Sequence, residues 1–177
     1  MTHKSTRTQQ ILSVMQILTW IAYIGLCIKT GAILISFGVS FINPEAVKNL
    51  YKGLDLDHLR QMNITYYVSL VSFILAILML KAHALFLTTT ILSKISLANP
   101  FTMEVAQTLE KISYVLVSAW IVGSLSNAYT SWLLKRTGES FSSGATDELL
   151  FMAGLVFIIS QVFKRGVEIQ AENELTV

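Results

Sequence analysis

Carboxylates are missing from four long stretches of this 177-residue chain: no Asp or Glu falls between residues 11 and 42, 64 and 103, 112 and 134, or 149 and 163. A paired-carboxylate acid and base, or an acidic metal cage, cannot be built inside those stretches. The chain has one cysteine, Cys27, so no intramolecular disulfide can staple it. Charge is scarce as well, 14% of residues against about 25% in soluble domains. The net charge of +2 is spread along the chain, which leaves no basic face for nucleic acid. The three histidines, His3, His58 and His83, lie on separate segments without ligand spacing, and no phosphate loop or nucleophile elbow accompanies them. No enzymatic activity, cofactor or metal is expected.

What fills the acid-free stretches is apolar. Hydrophobic residues make up 53% of the chain, and the mean hydropathy is +0.59. The run Ile112 to Leu134, ISYVLVSAWIVGSLSNAYTSWLL, carries no charge at all. At about 1.5 Å per residue, such a run crosses a hydrocarbon layer of about 30 Å unaided. Leu70 to Leu80 lacks the polar stripe of a soluble amphipathic helix. The expected fold is an all-α polytopic membrane protein, a four-transmembrane-helix antiparallel bundle in one domain over residues 1–177. Its helices are expected at about 9–42, 57–96, 101–135 and 147–172. Lys4 and Arg7 before the first apolar run resemble a signal peptide's start, but the run is too long and lacks a cleavage site, so it reads as a retained first helix.

Helix-start signals punctuate the connections. Asn43, Pro44 and Glu45 predict a short interfacial helix at about 44–52, closed by Gly53, on a surface loop over residues 43–63, where Asp55 or Asp57 caps the next helix. Asn99, Pro100, Thr102 and Glu104 repeat the pattern, making Leu97 to Thr102 a tight turn. The Gly/Ser-rich stretch 137–146 predicts a loop, with Thr146 as N-cap of the last helix. Basic residues divide almost evenly between the two sides, which favours cytoplasmic termini only weakly.

Lys29, Lys81 and His83 interrupt the spans, and a charge at mid-bilayer costs several kcal/mol unless paired, hydrated or neutralised. One reading is that they snorkel to an interface; the other is an anion-accepting cavity completed by amides and hydroxyls such as Asn127. Ser124, Asn127 and Ser131 share a helix face that suits helix packing. Trp20, Trp120, Trp132 and the Tyr66–Tyr67 pair read as interface anchors or interhelical contacts.

The ending, KRGVEIQAENELTV, turns abruptly from apolar to acidic and faces water. Asn99-Pro100-Phe101, the stretch Leu109 to Ile112 and the final Glu172-Asn173-Glu174-Leu175-Thr176-Val177 resemble the YoaS-like family of small bacterial membrane proteins. The detailed match covers about the last half of the chain, and the first half, including Lys29, departs from it. The resemblance implies four helices, a bacterial inner-membrane location and a cytoplasmic C-terminus. Because such proteins are often encoded beside a small helix-turn-helix regulator, it also implies a regulatory or sensing role toward that partner. Phe101 and Leu175 are the expected apolar contacts of a cytoplasmic partner surface, and Glu172 and Glu174 its charged ones. Expected partners are therefore the lipid bilayer and a DNA-binding regulator, with a homo-oligomer left open. The competing expectation is a small transporter or channel component around Lys29, Lys81 and His83.

Overall fold

A computed structural model describes residues 7–52, 54–95, 100–141 and 146–174. Five α-helices and one 3₁₀ helix account for most of them: α1 (Arg7–Ser40), the 3₁₀ helix (Pro44–Asn49), α2 (Asp57–Met62), α3 (Ile64–Lys94), α4 (Met103–Thr137) and α5 (Asp147–Glu174). Four of these, α1, α3, α4 and α5, are long and apolar enough to cross a membrane.

The four long helices are antiparallel to their neighbours and stand in chain order. Phe37 of α1 meets Tyr67 of α3 at 5.6 Å between ring centroids, while Tyr23 meets Phe86 at 5.9 Å, so the two helices run in opposite directions. Tyr66 on Trp132 and the Lys94–Glu104 ion pair do the same for α3 and α4. Phe101 on Phe163 and Tyr114 on Phe157 align α4 with α5. Among the described residues α1 touches neither α4 nor α5, so the bundle is open, a row rather than a closed ring.

Local chemistry explains the boundaries. Asn63 is extended (φ −162°, ψ 121°) and its side chain accepts from Thr65 N at 2.8 Å, so it caps α3. The single helix expected from residue 57 is thereby split into α2 and α3. Thr102, one of the expected start signals, caps α4 through Val105 N; Asn99 lies outside the described residues, as does Gly53. Gly138 ends α4 in the left-handed conformation (φ 76°), with its N–H on Leu134 O.

The segment between α1 and α3 is a wedge more than a surface loop. Val47, Leu50, Leu56 and Leu59 are all buried, in one cluster with Ile33 of α1, Tyr67, Leu70, Val71, Leu75 and Leu78 of α3, and Leu133 of α4. The wedge thus fills the gap that the row leaves on one side of α3. Glu45, Lys48, Lys52 and Asp55 stay outside, whereas Arg60 is half-buried and its Nε has no hydrogen-bond partner among the described residues. Asn43 caps Glu45 N at 3.1 Å, and Glu45 binds Lys48 at 2.7 Å, holding that ammonium above the usual lysine range.

Candidate functional site

Two regions hold the polar chemistry, one at each end of the row. At the wedge end, Tyr67 is a fully buried core residue whose hydroxyl donates to Ser40 Oγ at 2.8 Å, and so ties α3 to the last turn of α1. Tyr67 thus makes an interhelical contact of the kind expected for the Tyr66–Tyr67 pair. Tyr66 and Trp132 remain near the surface, and Arg136 lies 4.9 Å above the Trp132 ring. His58 Nδ1 meets Glu139 Oε1 at 2.7 Å, joining α2 to the connection after α4. Lys29, exposed on α1, lies 6.0 Å from the Tyr51 ring; Lys52 approaches the same ring at 5.6 Å.

Of the four residues singled out inside the spans, one lines a groove between α1 and α3. A groove of about 400 Å³ between α1 and α3 is lined by Tyr23, Cys27, Thr30, Gly31, Leu34, Met79, Ala82, His83 and Phe86, and so contains His83 without Lys29, Lys81 or Asn127. Lys81 and Asn127 are each engaged in contacts within the protein. Helical register explains the separation. Lys29 sits four residues before Ile33 on the face that meets the wedge, whereas Cys27 and Gly31 lie on the groove face. The buried stripe of α4 is also one step away from the expected Ser124-Asn127-Ser131 face: Ala119, Gly123, Ser126, Thr130 and Leu133 are the residues sequestered.

Gly123 has a definite purpose. A Cβ there would overlap the Thr146 side chain, which is 1% exposed. Thr146 therefore packs where it was expected to cap, and its Oγ1 has no hydrogen-bond partner among the described residues. α5 consequently begins alongside the middle of α4, and residues 124–137 of α4 continue beyond its start.

At the opposite end, Lys164 binds both carboxylate oxygens of Glu110 at 3.0 and 2.9 Å, with side chains only 29% and 22% exposed. Tyr114 donates to the same carboxylate at 3.3 Å. Spacing could have revealed this pair. Glu110 heads the third apolar span and Lys164 follows the fourth, so antiparallel packing puts both at one level. Phe101 is 39% exposed, yet its ring docks on α5, where Cδ1 would lie 2.6 Å from a Cβ on Gly166. Beyond that contact Arg165 pairs with Glu168 at 2.7 Å, and Glu172 is exposed. Leu175 and the Glu174 side chain lie outside the described residues.

Among the described residues, no three His, Cys, Asp or Glu side chains gather as a metal site. None of the curated proteins and none of the solved structures compared with the chain matches it. A model of the family described as proteins of unknown function, DUF2975, matches residues 55–177, well over half of the chain, and the chain belongs to that family.

Proposed function

We propose that this is a non-enzymatic protein of the bacterial inner membrane, with both termini in the cytoplasm, whose cytoplasmic end captures a partner protein. One observation carries the reading: α5 continues as a single helix past the Lys164–Glu110 pair to Glu174. Its last turns present Glu168, Ile169 and Glu172 to solvent, with the part-exposed Phe101 ring packed on α5 nearby. An exposed helical arm of mixed apolar and acidic character suits helix-in-groove recognition. The YoaS-like resemblance supplies the partner class, a small DNA-binding regulator held by protein contact while this chain touches no nucleic acid.

Deleting residues 170–177 tests it. The truncated protein should still insert in membranes but no longer co-purify with the regulator encoded beside it. Unchanged co-purification, or a C-terminal reporter that proves periplasmic, overturns the proposal. The α1–α3 groove supports a second reading, a small transporter component. Under that reading Lys81→Met or His83→Gln lowers solute flux in proteoliposomes, whereas the first reading gives no flux in any variant.

A further inference from the structure

We propose that Lys29 and Lys52, converging on the Tyr51 ring, form a binding site for the phosphate of an anionic membrane lipid. Apart from Arg7 at its start, Lys29 is the only charged residue of α1, on a helix whose neighbouring Ile24, Ile28 and Ile35 are 49%, 62% and 69% exposed. Such a cation needs an anion or water. No described carboxylate lies within 4 Å of it, and a ring at 6.0 Å stands at the outer limit of a cation–π contact.

Lys52 reaches the same ring from the wedge, and its backbone is held in the left-handed region (φ 44°), unusual for a residue with a side chain. Two ammonium groups drawn to one ring repel each other unless an anion joins them. None of the wedge's described acids pairs with Lys29 or Lys52. Glu45 is bound by Lys48, Asp55 accepts from Asp57 N, and Asp57 accepts from Gln61.

Position favours a lipid as the source of the phosphate. Exposed Lys52 and Asp55 bring the polar boundary down beside α1, while the apolar face of α1 at Ile24 and Ile28 can carry an acyl chain below it. The site stands at the opposite end of the row from the tail and is independent of the partner-capture reading.

Native mass spectrometry of the full-length protein, released from detergent with phosphatidylglycerol or phosphatidylcholine added, tests it. Wild type should retain phosphatidylglycerol preferentially. Lys29→Gln and Lys52→Gln should each weaken retention about five-fold, the effect of one lysine at an anionic surface. Lys29→Arg should keep it, and so should Lys48→Gln, whose charge Glu45 already satisfies. Circular dichroism of each variant separates lost binding from lost fold. Equal retention of both lipids, wild-type retention by the Lys29→Gln and Lys52→Gln pair, or an equal loss in Lys48→Gln overturns the site. Displacement of the lipid by millimolar inorganic phosphate overturns the lipid source.

Discussion

The two ends of the row are built from the same kind of helix but held together by different physics. At the wedge end, side chains from α1, the 41–63 segment, α3 and α4 share one buried apolar cluster. At the tail end, a smaller cluster around Ile91, Val105 and Ile112 is supplemented by the Lys164–Glu110 pair and by one aromatic ring laid on a glycine. Within the lipid, apolar helices gain little by touching each other, so close fit and polar contacts must supply the attraction. Outside it, the hydrophobic effect returns. The wedge, bearing charged residues on its outer side and four buried aliphatic residues on its inner side, uses the second principle. The tail end relies instead on close fit and a polar pair.

The largest effect should come from the wedge. Leu59 is fully buried, and Leu59→Ala removes its packing and leaves a cavity, which costs about 2–5 kcal/mol. Thermal unfolding in detergent should show the lower midpoint, with Lys29 and Lys52 losing their common support on Tyr51. A variant as stable as wild type would mean that the wedge does not hold the helices together. Gly166→Val should be milder. It pushes the Phe101 ring off α5, an overpacking cost of about 1–3 kcal/mol, and should make the chain after α3 more open to trypsin at Lys94 while leaving the wedge protected. If cleavage spreads equally to Lys52, the two ends are not independent.

Much of this arrangement is legible in the residues. The four long apolar runs are separated clearly enough to place the four long helices close to their observed ends, except that the second was expected from residue 57 and α3 begins at Ile64, and Asn43 caps where its neighbours suggest. Pairings are less legible, because hydropathy reports solvent and is blind to neighbours. α1 and α3 have hydropathies of 2.0 and 2.3, yet 6% of one apolar window is buried against 33% of the other. The wedge was hidden for a related reason: Val47, Leu50, Leu56 and Leu59 are interspersed with Glu45, Lys48, Asp55 and Asp57, a pattern that suits a surface loop equally well. Asn63 splits the second helix through a side-chain cap, which a single amide among helix formers does not announce. Of the candidate site residues, His83 lines the groove while Lys29 meets Tyr51 instead, because Lys29 stands two residues from the groove-lining Cys27 and Gly31, and that step carries it to another face of α1.

The smallest effect sharpens the comparison most. Glu110→Gln keeps the shape of the side chain and an oxygen acceptor for Tyr114, but removes the charge that Lys164 meets from α5. Lys164 is 29% exposed and can turn toward water, so the loss is far below that of a sealed ion pair. The unfolding midpoint should fall slightly, and raising salt from 50 to 500 mM should narrow the gap between variant and wild type, since screening weakens only the intact pair. Leu59→Ala should show no such convergence. Were the Glu110→Gln gap to stay constant with salt, the α4–α5 contact would rest on fit alone, and the two ends would differ in degree rather than in kind.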